Sequence, residues 1–180
     1  MRIIAGELKG RRLKTPKWSG LRPTSDKLRE TLFNVVASRV PGARVLDLYA
    51  GTGAIGIEAL SRGAAHVTFV DTDARALKLI DENLRQCGVS ERYVIIRTPQ
   101  SLPAGSIDLA VLDPPYDVPD LTASIAAAEP LMAPGGLLVL EHARRRPAPE
   151  QVGRFGMSRD LVSGDSALAF YSEIAERRGA

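Results

Sequence analysis

The chain reads as an α/β protein built on a mostly parallel sheet with helices on both faces, and three observations predict it. From Arg44 onward, short apolar runs alternate with stretches of helical periodicity, which is the pattern of parallel strands joined by crossover helices. The first run leads into Gly51, Gly53 and Gly56, a G-x-G-x-x-G loop with a strand before it and a helix after it. Asp47, Asp71 and Asp113 all fall toward the carboxyl ends of apolar runs, where sheets of this kind bind ligands.

Each element follows in turn. Residues 2–5 can pair with residues 12–14 as a hairpin before Pro16 stops it. Leu28, Leu32, Val35 and Val36 mark the inner face of a helix over about residues 26–39, with Thr24 or Ser25 as its cap. Strands are expected at residues 44–48, 66–70, 93–96, 107–112 and 136–141, with helices between them that stop at glycines such as Gly63 and Gly88. Residues 155–158 and 167–171 read as a closing pair that includes an antiparallel edge.

Composition bounds the function. At 180 residues and 44% hydrophobic content, the chain can bury a sizeable core as one unit. Cys87 is the lone cysteine, and with His66 and His142 it forms no ligand spacing, so no metal is expected. No stretch reads as a signal peptide or a membrane helix, and a cytoplasmic monomer is the expectation. The net charge is only +3, yet residues 1–29 hold nine basic side chains against Glu7 and Asp26. Residues 1–24 therefore read as a basic arm that contacts RNA through Arg11, Arg12, Lys14, Trp18 and Arg22, ahead of a catalytic domain over residues 25–180. Trp18 could instead plug the core.

The chemistry lies in Asp113-Pro114-Pro115-Tyr116, directly after the run 107–112. The Asp113 carboxylate and the Pro114 carbonyl can accept two hydrogen bonds from one exocyclic amine, and Tyr116 can stack on its ring. Two acceptors on one NH2 orient its lone pair toward an electrophile. The glycine loop and Asp71, twenty residues on, mark a nucleoside-containing cofactor, with Asp71 placed for ribose hydroxyls. Asp47, an acid just before the loop, suits a cationic amino-acid portion better than a pyrophosphate.

The stretches at 22–34 (RPTSDKLRETLFN), 46–63 (LDLYAGTGAIGIEALSRG), 113–116 (DPPY) and 164–168 (GDSAL) resemble the RsmD family, which methylates the N2 amine of a guanine in small-subunit (16S) ribosomal RNA. The resemblance runs almost from end to end. It implies a Rossmann-like class I S-adenosylmethionine-dependent methyltransferase fold of seven strands, with ribosomal RNA, bare or in a ribosomal particle, as partner. It places the base at Asp113, Pro114, Pro115 and Tyr116, and S-adenosylmethionine at Asp47, Tyr49, Ala50, Gly51, Gly53, Asp71, Thr72, Pro99 and Asp113. Thr24 would reach the methionine carboxylate. Two departures stand out: Arg97-Thr98-Pro99-Gln100 where relatives set a small polar residue and alanine against the adenine, and Ser163 where an aromatic commonly precedes Gly164. Rival readings are a DNA adenine-N6 or cytosine-N4 methyltransferase, a nicotinamide dehydrogenase and a noncatalytic RNA-binding module.

Overall fold

A computed structural model of the chain describes residues 1–16 and 24–174. Five strands run parallel: β1 (Arg44–Leu48), β2 (His66–Val70), β3 (Tyr93–Ile96), β4 (Ile107–Leu112) and β5 (Met132–Ala143). Three antiparallel strands follow, β6 (Gln151–Val152), β7 (Phe155–Ser163) and β8 (Ser166–Glu173), giving the order β3-β2-β1-β4-β5-β8-β7-β6. The sheet thus has eight strands where the sequence predicts seven. The extra strand, β6, is two residues long and comes just after Pro147 and Pro149, too short for any alternation to announce it.

Both faces of the sheet are covered because side chains alternate along each strand. On β1, Val45 packs with Leu28, Leu32 and Phe33 of α1 (Asp26–Val35), Ile57 of α2 (Ala54–Ser61) and Ile80 of α3 (Ala74–Gln86). Leu46 and Leu48 point the other way, to Leu121 and Ile125 of α4 (Leu121–Ala128). Gly56 lets α2 lie against β2, since a Cβ there would come within 2.2 Å of the Phe69 ring.

Two expectations need correcting. Helix α1 ends at Val35, which is exposed, and the chain tightens into a 3₁₀ turn at Ala37–Arg39; Val36 alone carries the apolar face onward. The N-terminal hairpin is shorter than expected: Arg2 bridges Arg12, with Ile3 N–H donating to the Arg11 carbonyl, Gly10 N–H to that of Ile3 and Leu13 N–H to that of Met1, and the pairing stops at residue 3. A side chain takes the next donors. The N–H groups of Ile4 and Ala5 donate to the carboxylate of Glu58, at 2.7 and 3.0 Å, and Glu58 is wholly buried in the middle of α2. Ionised buried acceptors bind backbone donors more strongly than a neutral carbonyl does. Asn83 of α3 exchanges two hydrogen bonds with the backbone of Lys14, and Gln86 donates to the Arg12 carbonyl. With Ile3 and Leu13 in the core, residues 1–16 are stitched to the domain.

Candidate active site

The carboxyl ends of β1, β2 and β4 open into a cavity of about 530 Å³, at the point where the chain turns to opposite sides of β1. The glycine loop forms one wall and Asp113 to Tyr116 the other.

At the loop end, carboxylates are held by backbone N–H groups. Asp47 Oδ2 accepts from the Gly56 N–H at 2.8 Å, and Asp71 accepts from Gly51 N–H through Oδ2 and from Asp73 N–H through Oδ1, each at 2.9 Å. Burial pushes the Asp47 carboxyl up to about 8; the Gly56 hydrogen bond opposes this, while the charges of Asp113 and Asp71 add to it. Tyr49, entering the loop, has a left-handed backbone at φ 66° that a bulky residue rarely adopts, and its hydroxyl meets Ser124 Oγ of α4 at 3.0 Å. That contact ties the loop to the helix beyond it.

At the other end, side chains do the holding. Thr24 Oγ1 donates to Asp113 Oδ2 at 2.5 Å. The Tyr116 hydroxyl donates to Glu141 Oε1 at 3.2 Å and shares a 2.6 Å hydrogen bond with Ser166 Oγ, so the ring is fixed at its far edge. Arg146 spans the loop after β4, donating to the carbonyls of Tyr116, Val118 and Pro119. In a run, Arg144 to Arg146, that reads as solvated, the last guanidinium is therefore a clamp on the loop that carries Tyr116.

Most residues expected from the sequence meet here. Thr24, Asp47, Tyr49, Ala50, Gly51, Asp71, Thr72 and Asp113 through Tyr116 all line the cavity. Gly53 and Pro99 do not: Gly53 caps α2 at φ 76° facing Ile80 and Phe69, and Pro99 opens a 3₁₀ turn after β3. Arg11, Arg12 and Lys14 are exposed on the arm, Lys14 Nζ lying 2.8 Å from Glu82 Oε2. Trp18 and Arg22 lie outside the described residues. Two supports were not expected: Glu141, given no role in the sequence, and Arg146, which reads there as a phosphate contact or a solvated side chain. The first had a signal, an acid on an apolar strand near its carboxyl end; the second had none, because its partners are backbone carbonyls. Among the described residues no group of His, Cys, Asp and Glu could hold a metal ion, and no helix is long and apolar enough to cross a membrane.

Over residues 1–172 the chain matches the family described as conserved hypothetical protein 95. It belongs to that family, the RsmD family. Ribosomal RNA small subunit methyltransferase D of Escherichia coli (strain K12) is 32% identical, the match covering 98% of this chain and 91% of the relative. The Bacillus subtilis (strain 168) protein YlbH is 36% identical over 96% of this chain and 99% of its own length. Among solved structures, Escherichia coli yhhF superposes with a TM-score of 0.84 at 31% identity, covering 98% of this chain and 99% of that one. An RNA methyltransferase from Salinibacter ruber in complex with S-adenosyl-L-homocysteine shares the fold, with a TM-score of 0.67 at 16% identity over 88% and 100% of the two chains. This member of the RsmD family thus has the Rossmann-like methyltransferase fold, its sheet carrying eight strands.

Proposed function

We propose that the chain transfers a methyl group from S-adenosylmethionine to the exocyclic N2 amine of a guanine in small-subunit ribosomal RNA. One observation carries this reading: Asp113, Pro114 and Tyr116 share a single cavity with the glycine loop and Asp71. Membership in a family whose Escherichia coli relative is named a small-subunit ribosomal RNA methyltransferase supports the substrate class.

The residues present fit the cofactor. Asp71 offers acceptors to ribose hydroxyls, the backbone approaches closely at Gly51, and Asp47 and Asp113 supply negative charge for a cationic ligand. When bound, S-adenosylmethionine supplies an electrophilic methyl on a sulfonium, so no protein nucleophile is required. The chain's residues then align and exclude water. Asp113 and the Pro114 carbonyl accept from the base NH2 and favour a pyramidal, more nucleophilic nitrogen. Tyr116, fixed by Glu141, Ser166 and Arg146, offers its face to the base, and stacking worth about 1–3 kcal/mol offsets part of the cost of unstacking it from the RNA. The exposed Arg11 and Arg12, on the arm over residues 1–24, would meet phosphates.

The test is transfer of labelled methyl from S-adenosylmethionine to 16S ribosomal RNA, offered bare and within the small subunit, with duplex DNA alongside. Label on guanine N2, located by mass spectrometry, is the expected result. Label on DNA, or none on either RNA substrate, removes the proposal.

A further inference from the structure

His142 is buried on β5, 2% exposed, and both of its ring nitrogens meet oxygens. Nδ1 lies 2.9 Å from the Arg146 carbonyl and 3.2 Å from that of Ala143, and Nε2 lies 3.2 Å from Asp160 Oδ1 on β7. Carbonyls and carboxylates only accept, so the ring satisfies both sides at once only with a proton on each nitrogen, as imidazolium. It sits against the turn that follows β5, where the Arg146 N–H returns to the Ala143 carbonyl at 2.8 Å.

Asp160 is the acid that meets this ring. Tyr171 of β8, on the same side of the sheet, donates to the Pro149 carbonyl, and burial and the Asp160 charge push its phenol well above the usual range. Ala167, opposite His142 on β8, and all of α4 carry no titratable group. The Arg146 guanidinium is engaged on the carbonyls of Tyr116, Val118 and Pro119. Arg146 is therefore held at one end by His142 and holds the loop after β4 with the other.

We infer that His142 is a positioning residue for the loop that carries Tyr116: as imidazolium it ties the Arg146 backbone to Asp160 on β7, and so sets where the guanidinium meets residues 116–119. A neutral ring keeps one proton. The carboxylate, an ionised acceptor, binds that proton more strongly than a carbonyl does, so the bond to Arg146 is the one given up. The loop should thus be held while the ring is charged and loosen as pH rises through its titration. The catalytic consequence, weaker capture of the base, rests on the proposed methyl transfer; the hold on the loop does not.

Wild type, Asp160→Asn and His142→Asn test the inference. In wild type, nitrogen NMR across the pH range should show both ring nitrogens of His142 protonated at the acid end and Nε2 alone at the alkaline end. At the same midpoint, exchange protection of the amides at 116–118 should fall and the KM for 16S ribosomal RNA should rise about 3-fold, the effect of one lost hydrogen bond. In Asp160→Asn the amide can donate to Nε2, which leaves a neutral ring its Nδ1–H for the Arg146 carbonyl, so protection and KM should stay level through the titration. Glu141, which faces Tyr116 and is raised by burial, would instead give a step that persists in this variant. His142→Asn, whose amide nitrogen stands near the Nδ1 position, should keep the KM for RNA within about 2-fold of wild type, without a step. A ring with one protonated nitrogen throughout, steady protection at 116–118 while the ring titrates, or a step surviving in either variant would overturn the inference. The NMR and exchange readings need no RNA, so they decide the hold on the loop even if wild type methylates nothing.

Discussion

The two ends of the cavity are built in opposite ways. At the end proposed for the cofactor the acids are fixed by backbone N–H groups close in sequence, Asp47 to Gly56 nine residues on and Asp71 to Gly51 twenty residues back. At the end proposed for the base, Asp113 takes its bond from Thr24, 89 residues away, and Tyr116 leans on Glu141 and Ser166, 25 and 50 residues away. A backbone donor is present whatever the side chain, so the loop end depends on glycine conformation; the base end depends on the identities of distant side chains. The first should tolerate substitution around it, and the second should fail when any distant partner is removed.

The largest expected effect is at the base end. Asp113→Ala should lower kcat by about 10²-fold or more while calorimetry shows S-adenosylmethionine still binding. Loss of cofactor binding together with activity would mean that the two ends are not separable. At the loop end, Asp71→Ala should weaken the cofactor by about 1–3 kcal/mol, because the ribose and the Gly51 N–H both lose an acceptor; unchanged affinity in the same titration would place the ribose elsewhere.

Asp47 gives the cofactor end a pH signature. Its raised position near 8 means that the protonated form fills the empty site at neutral pH, and a cationic ligand favours the ionised form, so binding expels a proton. Affinity should therefore rise with pH, by no more than about tenfold per unit, and level off above about 8, whereas Asp47→Asn should be flat. The same shift favours the folded state at low pH: its contribution is complete below the unfolded carboxyl value near 3.8 and is lost as pH climbs to about 8.

Arg146→Ala probes the clamp. Loss of its bonds to three exposed or half-buried carbonyls should cut kcat/KM for RNA about 3- to 10-fold, with faster amide exchange around residues 116–118 and unaltered cofactor binding. Smallest is the arm. Arg11→Ala with Arg12→Ala should lower the slope of log RNA affinity against log salt by about 2, and adding Lys14→Ala should change it by less than 1, since Lys14 is already paired with Glu82.

The same contrast explains what could be read from the sequence. The parallel strands, the glycine loop and Asp71 are local signals, repeated apolar runs and a spacing of twenty residues, and they lie where the pattern put them. Asp113 to Tyr116 was legible as a motif, but its supports were not, because Arg146 works through carbonyls and Glu141 meets Tyr116 from 25 residues away. On the arm, the pairing read for residues 2–5 and 12–14 holds as far as Ile3 and then gives way to Glu58, a buried carboxylate that no window around residue 4 contains. Strand β6 escaped because two residues show no period.

The attachment of residues 1–16 also sets an order of assembly. During synthesis those residues emerge before everything that holds them: Glu58 and Ser61 come more than fifty positions later, and Asn83 and the Gln86 amide later still. Until α2 has been made the Ile4 amide lacks its acceptor, and until α3 has been made the Lys14 amide lacks its own. The arm can make only its internal hairpin bonds before then, and closing so long a loop costs entropy that only the finished domain offsets. A segment translated before its partners is thus held back by them, and a chain interrupted before residue 83 would lack the Asn83 anchor of Lys14.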